Sequence, residues 1–515
     1  MLKQFLLAVV IFSLLVSCKT EIKKETSQLT EKDKQKPNIV VIYVDDLGYG
    51  DIGVNGAIGA STPNIDKLAN NGINFTDAHC SAATCTPSRY SLLTGSYAFR
   101  NNAQILQGDA PLLINSDEAT LPKMLQKNGY KTAVVGKWHL GLGDGEVDWN
   151  KEVAPGPREI GFDYSFLIPA TGDRVPAVYL ENQKVMNLDP NDPLKVSYKG
   201  KIGNLPTGFE NPDLLRQVPD GQHNKTIVNG ISRIGFMSGG RSAWWVDEEF
   251  PDVLVGKAKK FINENRDTPF FLYLAYHDIH VPRLPNEKFL GKSSMGVRGD
   301  VIEQMDWCTG EVVKYLEELG LDRNTLVLFS SDNGPVLNDG YQDESVEKLG
   351  NHKPAGPFRG GKYSALEAGT RMPTIAYWPG TISSKTSNAL WSQVDLYASI
   401  AALTGHDLDD REAPDSFNML DVILGKTEYG RKEMLEESFT LSLRLGEWKY
   451  IAPTKRNPKW IDNKGVESGF SSEPQLFNLR EDISETKNVA KDNETLVKEI
   501  QERIKMIKEK GSRLL

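Results

Sequence analysis

Cysteine is scarce in this chain. Its 515 residues hold four, Cys18, Cys80, Cys85 and Cys308, too few for the disulfide scaffold that small secreted domains use in place of a core. Nor is any stretch apolar for the roughly 20 residues that a membrane-spanning helix needs. There is no excess of basic charge. Sixty Lys and Arg face 69 Asp and Glu, a net charge of -9, which argues against a nucleic-acid partner. An acidic chain that acts on an anion must gather its cations locally. No internal repeat is visible. What is present is an ordinary globular composition, 39% hydrophobic, and enough length for one large and one small domain with a full core.

The N-terminus reads as an address. Lys3 precedes an apolar run from Phe5 to Val16, the form of an export signal. Leu15-Val16-Ser17-Cys18 resembles a bacterial lipobox, with Cys18 the lipidated first residue of the mature protein and the membrane touched only through that lipid. Residues 1–18 are then a lipoprotein signal peptide and 19–36 a polar, disordered tether. The expected location is the periplasm or the outer membrane.

From Pro37 onward, strand and helix signals alternate. Asn38 to Val44 is a continuous apolar run of strand length, suited to the buried centre of a sheet. Further strand runs are Ile73 to Ala78, Lys131 to Val135, Pro269 to Ala275 and Thr325 to Phe329. Thr62-Pro63 and Thr120-Leu121-Pro122 open helices; longer helical patterns cover Val301 to Leu319 and Val394 to Leu403. The alternation predicts an α/β fold, a large mixed, mostly parallel sheet sandwiched by helices. Residues Asp144 to Phe250 read as a long insertion between core strands. Beyond a boundary near Asp415, short strands at Glu433 to Phe439, Ser442 to Leu445 and Trp448 to Ala452 precede a helix with Leu496, Ile500, Ile504 and Ile507 on one face. These predict a small antiparallel sheet plus helix over 416–515, after a main domain over 37–415.

Active sites in such sheets gather at the carboxyl ends of the strands, and the chemistry-bearing residues fall there. Asp45 and Asp46 follow the first strand; Asp332 and Asn333 follow the strand ending near Phe329. Either pair alone suits a solvated turn. Together they make an all-oxygen set for a hard cation, calcium or magnesium. Lys137 and His139 end another strand, two apart and so directed to one side if the segment stays extended. His277 and His280 follow a third. Cys85 stands where a loop turns into a helix, with Pro87 in its first turn and Gly95 as its stop. Arg89, one turn on, is placed to reach back toward an anion there.

Cys85-Thr86-Pro87-Ser88-Arg89, continuing to Leu93-Thr94-Gly95, resembles the signature of the type I sulfatases, in the alkaline-phosphatase-like superfamily. The further segments Val44-Asp45-Asp46, Gly136-Lys137-Trp138-His139, His280-Val281-Pro282, Asp332-Asn333-Gly334 and Gly360-Gly361-Lys362 resemble that family's blocks in the same order. The resemblance implies that Cys85 is converted by a formylglycine-generating enzyme to an aldehyde. It implies one calcium ion held by Asp45, Asp46, Asp332, Asn333 and the oxygen at position 85. It assigns sulfate binding and proton transfer to Arg89, Lys137, His139, His280 and Lys362. His277, and the pair Glu367 and Arg371, are expected to be structural. With Cys18 and Cys85 so used, Cys80 and Cys308 are left and are able to pair if close.

Loops at the active end of the sheet set substrate choice, and Asp173, Arg174, His352 and Arg359 are the candidates for sugar contacts. The resemblance extends to bacterial enzymes acting on sulfated polysaccharides and implies a 6-O-sulfated galactose or N-acetylgalactosamine. Two other readings stand beside it. A phosphodiesterase or phosphonate hydrolase shares the fold, although a two-metal site needs more Asp and His ligands than can be placed. A glycan-binding lipoprotein with an unconverted Cys85 has no use for two proton-transfer histidines.

Overall fold

The computed structural model of the chain describes residues 36–456 and 458–515. The signal and lipobox expected at 1–18, and nearly all of the tether, lie outside the described residues. Ten strands form the main sheet: β1 (Asn38–Val44), β2 (Ile73–Phe75), β3 (Lys131–Lys137), β4 (Tyr164–Ile168), β5 (Leu180–Glu181), β6 (Lys184–Val185), β7 (Phe270–Ala275), β8 (Thr325–Ser331), β9 (Thr374–Tyr377) and β10 (Lys385–Ser387). Their order is β10-β2-β9-β8-β1-β7-β3-β4-β5-β6. The central run β8-β1-β7-β3-β4 is parallel throughout, and antiparallel strands extend it on both sides. This is the expected mixed, mostly parallel sheet.

β1 is central because its sequence permits nothing else. Asn-Ile-Val-Val-Ile-Tyr-Val is buried at every position. It has apolar side chains on both faces, as a strand covered by helices on two sides requires, and each buried Val or Ile contributes about 1.5–3 kcal/mol. Two groups of helices flank the sheet. In one, α1 (Pro63–Asn71), α4 (Phe250–Glu264) and α5 (Gly296–Glu318) pack on one another around α5; in the other, α2 (Cys85–Thr94), α3 (Leu121–Lys127) and α6 (Leu396–Thr404) pack together. Among the described residues no helix is long and apolar enough to cross a membrane.

Four strands, β11 (Glu433–Ser438), β12 (Thr440–Leu445), β13 (Trp448–Ile451) and β14 (Gln475–Asn478), make the small antiparallel sheet. Helix α7 (Glu494–Lys510) packs on it through buried Val497, Ile500, Ile504 and Ile507. β14 has no clear signature in the sequence, since a run of four residues shows too little alternation to read.

Three expectations change. Residues Asp144 to Phe250 are not wholly an insertion, since β4, β5 and β6 lie within them and complete the sheet. The run Ile73 to Ala78 breaks after Phe75, because Asp77 turns aside to an ion network, and a separate bridge forms at Ala78–His79. Cys80 and Cys308 do not pair: both are free and buried, Cys308 within the apolar core against α5's neighbours.

That ion network joins the small sheet to the main one. Glu367 takes Lys449 at 3.0 Å, Arg371 at 3.0 Å and Arg444 at 3.3 Å, which bears out the pairing of Glu367 with Arg371. His79 lies 2.9 Å from both Asp77 and Glu436. Burial opposes ionisation of Asp77, but the His79 hydrogen bond and the Arg371 and Arg444 guanidiniums outweigh it and hold the carboxyl at about 2. A depressed carboxyl stabilises the fold above its unfolded value and loses that contribution as pH falls through the folded one. From pH 4 to pH 2.5 the urea midpoint is therefore expected to fall, with about 1.4 kcal/mol traceable to this group, and Asp77→Asn is expected to flatten the fall.

Candidate active site

Four parallel strands deliver the site. β1 runs into Asp45 and Asp46, β8 into Asp332 and Asn333, β3 ends on Lys137, and β7 leads to His277 and His280. Adjacent residues on an extended strand point to opposite faces. Asp45 and Asp46 converge because Asp46 adopts a left-handed φ of 63°, a conformation that aspartate tolerates better than most residues. Gly334 follows Asn333 where an added Cβ would stand 1.8 Å from the Ala368 carbonyl oxygen, so only glycine lets these loops close.

Helix α2 begins at Cys85, with Thr84 before it and Gly95 closing it at a φ of 65°. All ten residues are buried, although half are polar; several of the polar side chains are bonded to segments around the helix. Thr86 Oγ1 donates to the His139 carbonyl at 2.9 Å and Ser88 Oγ to the Ala82 carbonyl at 2.7 Å. Arg89 does not reach back to Cys85. Its Nε and Nη2 both donate to Asp332 Oδ2, at 3.0 and 2.7 Å, and its Nη1 donates to the Lys137 carbonyl at 3.1 Å.

Charge is balanced residue by residue at the centre. Lys137 donates to Asp45. Lys362 lies 2.9 Å from both Asp46 and Asp339. Burial and the facing Asp332 carboxylate push the Asp45 carboxyl well above the usual range, with Lys137 pulling the other way; Asp46 is raised by burial against the pull of Lys362. Asp332 is lowered, since Arg89, Lys137 and Lys362 outweigh its burial. Two oxygens here, Asp45 Oδ1 and Asn333 Oδ1, are buried with no hydrogen-bond partner. Asn333 Nδ2 is already spent on Asp46 and the Gly334 carbonyl. Unpaired buried acceptors are costly and call for a ligand that accepts their lone pairs. Asp45, Cys85 and Asp332 present ligand atoms within 4.8 Å of one another, as do Asp45, Asp46 and His280. Carboxylates and an amide oxygen in this number fit a hard divalent cation.

Both histidines are buried. His139 occupies a left-handed turn, φ 53°, so strand alternation does not relate it to Lys137. Its Nε2 donates to the Leu106 carbonyl at 3.0 Å, which leaves Nδ1 as a buried acceptor without a partner. Burial, then Lys137 and Arg174, hold it well below its ordinary value, so it is a neutral base at pH 7. His280 Nδ1 donates to the Val281 carbonyl at 2.7 Å, and its Nε2 stands 3.8 Å from Asp46. Burial and Lys362 lower its value too. His277 packs edge-on to Phe250 and to His280, and its Nε2 is buried without a partner.

A cavity of about 400 Å³ opens over this centre, lined by Cys85, His280 and Lys362 and also by Asp173, Arg174 and His223. Arg174 Nη1 donates to Asp173 at 2.7 Å. His223 spans Asp173 at 3.1 Å and Asp220 at 2.7 Å; burial opposes its charge, but the two carboxylates raise its value overall. His352 and Arg359, expected as sugar contacts, are elsewhere. His352 is buried against Asp51 at 2.8 Å, beside the Asp51–Arg298 pair. Arg359 forks onto Glu467 and donates to the Glu485 carbonyl, tying down the C-terminal segment. Conversely, His223, Asp339 and Lys464 line the cavity unanticipated. The chain has only seven histidines, and that census alone would have raised His223. Nothing in sequence marks Asp339 or Lys464.

Fold and site together fit a hydrolase of charged esters: a cluster of oxygen ligands, a side chain at a helix start, buried lysines and two neutral histidines, with Cys85, His280 and Lys362 open to one cavity. The family model for sulfatases matches residues 37–406, and the chain belongs to the sulfatase family. Its activity class is sulfuric ester hydrolysis. It is 47% identical over 500 residues to an N-acetylgalactosamine-6-O-sulfatase of Bacteroides thetaiotaomicron, covering 96% of this chain and 97% of that one. It is 30% identical to human arylsulfatase A over 426 residues, covering 80% and 74%. A solved B. thetaiotaomicron structure associated with glycosaminoglycan metabolism superimposes with a TM-score of 0.91 at 48% identity, covering 92% of this chain and all of that one.

Burial pushes the Cys85 thiol up to about 11, with Lys137 and Lys362 opposing it. As a thiol it is therefore protonated at neutral pH and a poor nucleophile. In protein that carries the thiol, alkylation of Cys85 is expected to be slow at pH 7 and to rise about tenfold per pH unit toward pH 9.5, followed by mass spectrometry of its peptide. Rapid labelling at pH 7 contradicts this.

Proposed function

We propose that the protein removes sulfate from sulfated saccharides, with a 6-O-sulfated galactose or N-acetylgalactosamine as substrate. The observation that carries this reading is that one cavity brings Cys85, His280 and Lys362 together with Asp173, Arg174 and His223. The first three are a reactive position, a base and a cation; the second three form a hydrogen-bonded polar cluster. A sulfate group suits the first and sugar hydroxyls suit the second. The name of the 47% identical relative supports the choice of sugar.

The chemistry requires Cys85 as formylglycine, made by a modifying enzyme. The hydrated aldehyde offers two hydroxyls on one carbon: one bonds to sulfur as the ester S–O bond breaks, and loss of the other's proton expels sulfate and restores the aldehyde. Asp45, Asp46, Asp332 and Asn333 would hold a calcium ion, which would supply positive charge beside position 85. Lys137 and Lys362 stabilise the sulfonyl oxygens as charge builds on them. Arg89 fixes Asp332 and so acts on the reaction through that carboxylate. The departing alcohol takes its proton from the ionised Lys362, by way of His280 Nε2; the Nδ1 proton of His280 stays on the Val281 carbonyl. His139 takes the proton that frees the sulfate, for which its unpartnered Nδ1 is suited. Export, and lipid on Cys18, are inferred from the sequence of the first 18 residues.

The test is turnover. Protein matured with formylglycine is expected to hydrolyse 6-O-sulfated N-acetylgalactosamine, with the matched phosphate diester far slower. His139→Ala and His280→Ala are each expected to lower kcat by 10² or more, and Cys85→Ser to stop after one sulfate is bound covalently. Preference for the phosphate diester, or turnover undiminished in Cys85→Ala, contradicts the reading.

A further inference from the structure

A second chamber adjoins the catalytic cavity and is not used by the mechanism above. Its volume is about 580 Å³. The two share Ile105 and Trp460 as a common rim. Trp460 is 41% exposed, unusual for so large an apolar ring, and packs edge-on against Tyr363 at 4.7 Å and Phe439 at 6.1 Å.

Phe439 sits between β11 and β12 in a turn too tight for an extended residue, with a φ of 45°. A bulky side chain at positive φ is an outlier where glycine or asparagine would be the cheaper choice. Phe439 nevertheless lines the chamber, as does Phe99. Asn102 and Gln104 contribute amides to the same lining. Glu437 contributes a carboxyl oxygen that is buried with no partner. Arg456 lies at the exposed edge, its own backbone N–H held by Thr454.

We propose that this chamber is a saccharide subsite. It takes an anionic sugar joined to the sulfated residue that occupies the catalytic cavity, and the proposal rests on the reading of that cavity given above. Aromatic faces with a few amide and carboxyl groups suit a pyranose, whose C–H face is apolar and whose rim is hydroxylated. The Glu437 oxygen accepts a sugar hydroxyl and so satisfies its lone pair. The Arg456 guanidinium offers forked N–H donors to a carboxylate or sulfate on that sugar. Because the chambers meet at Trp460, a two-residue substrate passes over its ring.

The test compares three substrates: 6-O-sulfated N-acetylgalactosamine alone, joined to a uronic acid, and joined to a neutral hexose. For the wild type, kcat/KM is expected to rise about tenfold from the monosaccharide to the uronate disaccharide, with the neutral disaccharide between them. Arg456→Gln is expected to abolish the difference between the two disaccharides. Phe439→Ala is expected to lower both relative to the monosaccharide. Equal kcat/KM for all three, or ratios that neither substitution moves, overturns the subsite while leaving the proposed function intact. If none of the three is hydrolysed, the proposed function fails instead, and the subsite is decided by titrating the desulfated uronate disaccharide while following tryptophan fluorescence. A saturable change that is lost in Trp460→Phe supports it, and no change overturns it.

Discussion

Three buried carboxylates, Asp45, Asp46 and Asp332, facing Arg89, Lys137 and Lys362 are the constraint on which the structure turns. None of the six is exposed by more than 1%. Charges so placed are tolerable only when each has a partner, and the pairing here is close to one for one. It leaves oxygens of Asp45 and Asn333 unsatisfied, so the cluster is not a closed salt bridge, and the proposed calcium ion is what would complete it. Everything nearby serves to keep these groups dry and in place, from the buried helix α2 to the left-handed turn at Asp46.

The sheet makes this possible. Side by side, β8, β1, β7 and β3 end at one edge, so four unrelated segments meet without long loops between them. The C-terminal sheet is part of the same arrangement. Lys464 reaches 3.3 Å from Asp339, which grips Lys362, and Trp460 forms the rim of the cavity. Residues far along the chain thereby reach the centre through a run of charged contacts.

Most of the centre was legible in the sequence because its residues lie in short blocks, most of them at strand ends, where a motif fixes position. Asp45, Asp46, Asp332, Asn333, Cys85, Lys137, His139, His280 and Lys362 are gathered as the blocks imply. Arg89 differs in direction: helix position predicts reach toward Cys85, but the buried Asp332 carboxylate is the stronger partner. The sugar end was harder. Asp173 and Arg174 line the cavity, whereas His352 and Arg359 answer to Asp51 and Glu467. Loop residues carry no periodicity, and a polar side chain in a loop looks the same in sequence whether it meets a substrate or another part of the fold. His223, Asp339 and Lys464 were unreadable for the same reason, since tertiary contacts alone bring them together.

The account stands on the oxygen cluster being a cation site. The most direct measurement is thermal unfolding of chelator-treated protein with and without added calcium, for the wild type and for Asn333→Ala. That substitution removes an unpartnered oxygen without altering the charge of the cluster. Calcium at a hundredfold excess over Kd is predicted to stabilise the wild type by about 2.7 kcal/mol, raising its Tm, and to have much less effect on the variant at the same concentration. A wild-type Tm that saturating calcium does not move, or an equal rise in both proteins, would contradict the account.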